Sequence, residues 1–247
     1  MSTPRTLFVE RVALGTLALD ADESHYARDV LRMAVGEEVT VVDGRGGRGE
    51  GTVGQAPGRT LVVHVGVVAA TSRPGGVVVL LGLPKPALVD EAVQLGTEAG
   101  LAELWLFPVG YSPPGRPRLD RLNRIARAAT RQCRRDVLPA IRLFDDCTAA
   151  LTELKGRGPF EPSPLWLATP PAPPGTQAAN ATGWWSAPAG SRTVVAIGPE
   201  AGFTTFEVEI FLAAGFTPTS LGPNVLRAPT AVAIATALCL CGAPPLR

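Results

Sequence analysis

Two rhythms of apolar and polar residues divide the chain. Over residues 1 to 72, short β-branched runs, "EEVTVVDG", "GEGTVGQ" and "RTLVVHVGVVAA", are separated by Gly-rich turns such as "DGRGGRG". That pattern predicts a small β-barrel. One helix is expected at "DESHYARDVLRM", with acids at its front and Gly36 as its stop. The turn-rich "TSRPGG" marks a boundary, giving domains of 1–72 and 73–247.

Beyond that boundary fully apolar runs alternate with helical periods. "GVVVLLGL", "LAELWLFPV", "PAIRLF", "PLWLAT", "RTVVAIG" and "TPTSLG" read as strands. Between and after them "ALVDEAVQLGTEAG", "RLDRLNRIARAATRQCRRD", "CTAALTELKG", "FEVEIFLAAG" and "VLRAPTAVAIATALCLC" read as helices. Apolar strands alternating with helices predict an α/β domain whose parallel sheet is covered on both faces. Ligands of such sheets bind beyond the carboxyl ends of the strands. The Pro-, Gly- and Ala-rich stretch 170–192 reads as a long connection in which Trp184 and Trp185 dock.

Composition narrows the class rather than the function. At 247 residues, 46% apolar and 18% charged, the chain is an ordinary globular protein with enough length for a sizeable core. No apolar run is long enough to span a membrane, and the N-terminus lacks a signal-peptide layout, so a cytoplasmic protein is expected. The four cysteines lack the spacing of a zinc site, no metal is expected, and Cys239 and Cys241 read as a buried structural pair. His25 and His64, the only two histidines, read as structural. Of 23 basic residues only Lys85 and Lys155 are Lys. Arg suits bidentate phosphate contacts, although a GC-rich genome would produce the same bias.

Candidate chemistry sits at two strand ends. "IGPEAG", residues 197–202, empties a strand into a loop that then starts a helix, with Thr204 or Thr205 as cap and Glu207 as the acid of a capping box. The loop has no Gly-Lys-Ser/Thr, so it is not a P-loop; it lacks the dinucleotide fingerprint and a central nucleophilic Ser. What remains is a backbone-lined slot for a flat, mostly neutral ligand part, or a tight turn with no ligand. "LGPNVLRAPTA", residues 221–231, repeats the Gly-Pro strand ending and sets Arg227 at a helix head, placed for an anion.

These two segments resemble the IGPEGG and LGPRxLRxETA signatures of the bacterial 16S ribosomal RNA uridine-N3 methyltransferases. That is the ribosomal RNA small subunit methyltransferase E family of the SPOUT superfamily. The resemblance extends through "TPRTLF", "HYARDVLRMAVGEEVTVVDG", "GLPK", Gln94, Glu98, Gly100 and "RQCRRDVLPAI", in the expected order over nearly the whole chain. It implies an N-terminal PUA-like RNA-binding domain and a trefoil-knotted C-terminal domain that binds S-adenosylmethionine and forms a homodimer. Carried over by position, it implies that Ala168, Ile197, Gly198, Pro199, Glu200, Gly202, Leu221, Gly222, Pro223 and Leu226 line the cofactor site. Arg227 and Glu200 would carry the chemistry, and Arg5, Arg32, Lys85, Arg131, Arg134 and Arg135 would bind RNA. The chain departs from the pattern at Ala201 (Gly in the family), Asn224 (Arg), Pro229 (Glu) and Arg131 (Glu).

Independently of the family, Arg121, Arg124, Arg127, Arg131, Arg134 and Arg135 fall in one band of the long helix, opposite Leu122, Ile125, Ala126, Ala129 and Cys133. Within the sequence only Asp120 and Asp136 flank that band, so an RNA-phosphate face is expected in preference to a merely solvated one. Three readings follow. The first is methylation of uridine N3 in the 16S RNA of the small ribosomal subunit. The second is a non-catalytic RNA-binding or assembly factor keeping the fold, for which Pro229 and Arg131 speak. The third is an unrelated nucleotide-binding α/β enzyme, disfavoured by the missing phosphate motifs.

Overall fold

The computed structural model describes residues 4–57, 60–70, 76–157, 165–171 and 192–241. The docking expected of Trp184 and Trp185 lies outside them. The chain groups into two units, residues 1–73 with 130–138, and 74–129 with 139–247.

In the first unit β1 (Arg5–Phe8), β2 (Gly15–Ala18), β3 (Glu38–Val42), β4 (Gly47–Gln55) and β5 (Leu61–Ala70) form one sheet in the order β1-β3-β4-β5-β2. β1 runs parallel to β3, and the other pairs are antiparallel. Alternate residues Val39 and Val41, Val53, and Leu61, Val63 and Val65 meet Leu7, Leu19 and Met33 in its core. Neither β1 nor β2 stands out in the sequence, since each has only four residues and its partner is remote. A bulge falls at Glu50/Gly51, where a Cβ on Gly51 would lie 2.3 Å from the His64 carbonyl oxygen. His64 itself contacts Thr16 Oγ1 through Nδ1 at 2.9 Å, a structural role.

The expected early helix is divided. α1 (Ala21–His25) is capped by the Asp20 carboxylate, which accepts the Glu23 N–H at 2.7 Å, and passes into a π-helical turn over Tyr26–Val30. It stops before Gly36, because Arg32 takes a left-handed φ of 53° and turns Met33 into the core. Residues 130–138, expected with the second domain, group with the first unit. There Leu138 N–H donates to Gly44 O at 2.9 Å and Gly46 N–H to Asp136 O at 3.1 Å.

The second unit follows the alternation closely. Its elements are β6 (Val77–Gly82), α2 (Pro86–Ala99), β7 (Glu103–Phe107), α3 (Leu119–Cys133), β8 (Ala140–Leu143), α4 (Cys147–Gly156), β9 (Leu165–Thr169), β10 (Thr193–Ile197), α5 (Thr205–Ala213), β11 (Thr217–Ser220) and α6 (Ala228–Cys241). All strand pairs are parallel, in the order β11-β9-β10-β6-β7-β8. The pleat explains why β6 has no polar face. Val77, Val79 and Leu81 join Val89, Val93, Leu122, Ala126 and Val232 of α2, α3 and α6. Val78 and Leu80 join Trp105, Phe107, Leu151, Leu154 and Phe211 on the α4–α5 side. α2 ends where Gly100 adopts φ 104°, the expected stop. The expected buried pair is not found: Cys239 is half-buried, its thiol pushed up to about 12 by desolvation, and Cys241 is exposed.

From β6 the chain builds outward through β7 to the β8 edge, then returns to place β9, β10 and β11 on the opposite side. The β10–β6 junction is therefore the switch point of the sheet, where α/β folds leave a crevice at the strand carboxyl ends.

Candidate functional site

β10 is buried at every residue and delivers Ile197 to the carboxyl edge of the sheet. The following loop folds back tightly: Gly202 N–H donates to Pro199 O at 2.8 Å, with Gly202 at φ 77°. A Cβ on Gly198 would meet Gly202 Cα at 3.0 Å, so a side chain there would force the loop open. Ala201 does not have positive φ, so replacing glycine by alanine there is sterically acceptable.

The loop is held from behind by a capping box. Thr204 Oγ1 accepts the Glu207 N–H at 3.3 Å, and Glu207 Oε2 accepts the Thr204 N–H at 2.8 Å. The other Glu207 oxygen accepts the Gly110 N–H at 2.8 Å, from the loop after β7. That second bond was not legible in the sequence, because Gly110 is 97 positions away.

The second Gly-Pro loop leaves β11 beside β9. Thr169 Oγ1 donates to Thr219 O at 3.1 Å, and Ser220 Oγ donates to Gly222 O at 2.7 Å. Together the two loops enclose a cavity of about 260 Å³ at the carboxyl ends of β9, β10 and β11. Of the positions expected to line it, Ala168, Ile197, Gly198, Pro199, Glu200, Gly202, Leu221 and Leu226 do so. Gly222 and Pro223 are in the same loop but outside the lining. Thr169, Phe203, Asn224 and Val225 also line the cavity and were not singled out as lining; Asn224 had drawn notice only as a departure. Phe203 follows the first motif and Asn224 and Val225 lie within the second, whereas Thr169 is next to neither and had no such signal. Glu200 is exposed and supplies the one charge among the described lining residues.

Arg227 lies just ahead of α6, exposed, and outside the cavity lining. Its Nη2 donates to Glu91 Oε2 of α2 at 3.2 Å, so the cation has a counter-ion that the sequence did not suggest. Pro229 is buried in the first turn of α6, where a missing N–H breaks no helical bond.

The arginine band on α3 is not uniformly bare. Arg121 pairs with Asp90 of α2. Within the first unit Arg131 Nη2 donates to Glu23 Oε2 at 2.5 Å, and its guanidinium lies 4.3 Å from the Tyr26 ring centroid and 5.0 Å from that of Phe8. Glu23, 2% exposed, also accepts the Phe8 N–H at 2.7 Å. The neutralising acid was invisible to helix periodicity because it comes from 108 residues upstream. Arg5, Arg32 and Arg134 are exposed in the same unit. Arg5 lies 3.7 Å from Glu37 and donates to Leu31 O, and Arg134 has φ 60°. Arg135 is half-buried, and desolvation lowers its guanidinium from the ordinary arginine range. Lys85 is exposed ahead of α2 in the second unit.

Among the described residues no group of three or more His, Cys, Asp or Glu side chains is placed to hold a metal ion. Nor is any helix among them long and apolar enough to cross a membrane.

Residues 71–240 match the RNA methyltransferase domain family, and residues 19–65 match an RNA methyltransferase PUA domain. Over 231 residues the chain is 30% identical to "Ribosomal RNA small subunit methyltransferase E" of Synechocystis, covering 92% of this chain and 74% of that protein. The protein of the same name from Bacillus subtilis is 24% identical, with 87% of this chain and 86% of that one covered. Among solved structures, a methyltransferase of Legionella pneumophila in complex with SAM superposes with a TM-score of 0.79 at 20% identity, over 96% of this chain and 97% of that one. A ribosomal RNA small subunit methyltransferase E of Neisseria gonorrhoeae, bound to S-adenosyl methionine, gives 0.77 at 19% identity, over 95% and 96%.

Proposed function

The chain belongs to the ribosomal RNA small subunit methyltransferase E family, and on that premise we propose that it methylates N3 of a uridine in 16S ribosomal RNA of the small subunit, using S-adenosylmethionine. The observation that carries this reading is the slot between the two Gly-Pro loops. Its lining is mainly backbone and apolar side chains with Thr169 and Asn224 as polar members, and its one described lining charge is the Glu200 carboxylate. Such a set suits a ligand with a flat neutral ring and a net positive charge, and would repel a nucleoside polyphosphate. S-adenosylmethionine has that ring and that charge, so the residues present fit it.

When bound, the cofactor supplies a methyl group already activated on sulfonium. The protein's own share is orientation, exclusion of water and the handling of one proton at uridine N3. Ala168, Ile197, Leu221 and Leu226 provide apolar walls, and Gly198 and Gly202 let the loop turn tightly beside the ligand. Arg227, balanced by Glu91 and free to face solvent, stabilises the uridine anion, and Glu200 is the candidate proton acceptor. Arg5, Arg32, Arg134, Arg135 and Lys85 serve RNA contact, while Arg131 acts through its pair with Glu23 to order the first unit.

The same reading carries a homodimer, a knotted C-terminal path and a cytoplasmic site of action. α6 supports the homodimer: it has no charged residue from Ala228 to Cys241, yet leaves Leu240 and Cys241 exposed. Neither departure that spoke for a non-catalytic factor damages the fold, since Pro229 suits a helical first turn and Arg131 has Glu23.

The test is methyl transfer to small subunits from a strain lacking the modification, read as N3-methyluridine by mass spectrometry of digested RNA. Calorimetric binding of S-adenosylmethionine without any N3-methyluridine formed would overturn the reading.

A further inference from the structure

A second cavity of about 240 Å³ opens at the carboxyl edge of the same sheet, beyond β6 and β7. It shares no lining residue with the slot at β9, β10 and β11. Its floor is apolar, formed by Leu83, Val89 and Leu122. Five prolines line it as well, Pro84 and Pro86 after β6 and Pro113, Pro114 and Pro117 after β7. Proline presents a flat apolar ring, has no N–H to satisfy and holds its backbone stiffly. A ligand part entering here therefore meets stiff apolar rings and few backbone donors.

The rim has the opposite character. Arg116, Arg118 and Arg121 stand around it against one lining carboxylate, Asp90. Each guanidinium rests on an acid: Arg116 on Asp145 at 2.9 Å, Arg118 on Asp120 at 2.9 Å, and Arg121 on Asp90. Arg116 and Arg118 are mostly exposed, as are Asp145 and Asp120, and exposed pairs of this kind hold weakly and exchange readily. An RNA phosphodiester offers the same guanidiniums an equally charged partner that they can grip bidentately.

The cavity is also rigidly tied to the slot. Ser112 Oγ donates to Leu83 O at 2.8 Å and accepts the Val109 N–H at 3.0 Å. Glu207 holds Gly110 from the slot side, and Pro199 packs so closely on Gly82 that a Cβ there would lie 2.9 Å from its Cδ. The loops ending β6, β7 and β10 thus form one fastened edge with two openings.

An apolar, proline-lined cavity with guanidiniums in its lining suits one nucleotide: a base against the prolines and a phosphate on the arginines. We propose that this cavity receives an unstacked nucleotide of the RNA substrate, with Arg116, Arg118 and Arg121 holding its phosphate. The inference rests on the methyltransferase reading only for the identity of the RNA.

The experiment compares full-length wild type, Arg116→Ala/Arg118→Ala and Asp145→Asn. Binding of a fluorescent single-stranded uridine-containing RNA octamer is followed by anisotropy over a salt series, with S-adenosylmethionine affinity measured on the same samples. All three positions are exposed, so the fold is expected to persist. Losing two of the three guanidiniums on that phosphate should weaken RNA binding about 10-fold and lower the salt slope by about 0.7. Freeing Arg116 in Asp145→Asn should tighten RNA binding about 2-fold. Unchanged RNA affinity in the double variant overturns the proposal, as does an absence of RNA binding by wild type. Methylation by wild type is scored separately: if it fails while the RNA-affinity changes appear, the activity assignment falls and the cavity assignment stands.

Discussion

Glu207 accepts the Gly110 N–H at 2.8 Å while its other oxygen closes the capping box on Thr204. One buried carboxylate thus fastens the start of α5 to the loop after β7. Gly110 has no room for a side chain, since a Cβ would lie 2.7 Å from Thr204 Cγ2.

Glu207→Ala leaves two backbone donors without their acceptor. At ~1–3 kcal/mol for each such group, a loss of about 3 kcal/mol in unfolding free energy is expected. Glu207→Gln keeps one acceptor oxygen and should lose about a third as much. Urea denaturation measures both, and S-adenosylmethionine affinity should fall in the same order. An Ala variant as stable as wild type would mean the double bond is incidental.

Arg227→Ala should lower methyl transfer on the order of 100-fold, the usual effect of removing one donor aimed at a developing anion. Because Arg227 lies outside the slot lining, S-adenosylmethionine affinity should change less than about 2-fold. A large loss of that affinity would reassign Arg227 to cofactor binding.

Arg131→Met removes the guanidinium partner of the buried Glu23 side chain, which also accepts the Phe8 N–H. The expected cost is ~3–5 kcal/mol. Adding Glu23→Gln should recover part of it, so a double-mutant cycle should return a coupling of at least ~1 kcal/mol. Additive losses would show that the pair contributes nothing as a pair.

Cys239 and Cys241 should separate chemically. With its thiol pushed up to about 12 by desolvation, Cys239 has far less thiolate at pH 8 than an ordinary cysteine. Maleimide labelling followed by peptide mass spectrometry should find Cys241 modified well before Cys239. The linkage has a sign as well. The folded value lies above the ordinary 9.0, so the stability Cys239 contributes is complete below pH 9 and lost as pH rises toward 12. Cys239→Val should therefore flatten the alkaline limb of the stability profile. An unchanged limb would place the titration elsewhere.

Arg134 adopts φ 60°, where a side chain crowds its own backbone. Arg134→Gly should raise stability by about 1 kcal/mol, visible as a higher melting temperature. A lower one would mean that the guanidinium makes contacts outweighing the strain.

The sequence by itself determined the elements whose cause is local. The helices and strands of the second unit are legible because an apolar strand must bury both faces and an amphipathic helix one, and these needs recur at fixed periods. The Thr204–Glu207 capping box is legible for the same reason, its two halves being three residues apart. So is the fact that "IGPEAG" and "LGPNVLR" lie at strand ends, where a parallel sheet opens.

What only the tertiary structure decided are relations between residues distant along the chain. Periodicity put Arg131 on a bare cationic face; folding brought Glu23, Phe8 and Tyr26 around it. Position alone made Arg227 a lone cation, and packing of α6 on α2 gave it Glu91. Strand order decided that the carboxyl ends of β9, β10 and β11 share one slot while those of β6 and β7 frame another. A charge's partner and a cavity's walls depend on which remote segments the core draws together, and burial of apolar surface, which does the drawing, is non-directional along the sequence.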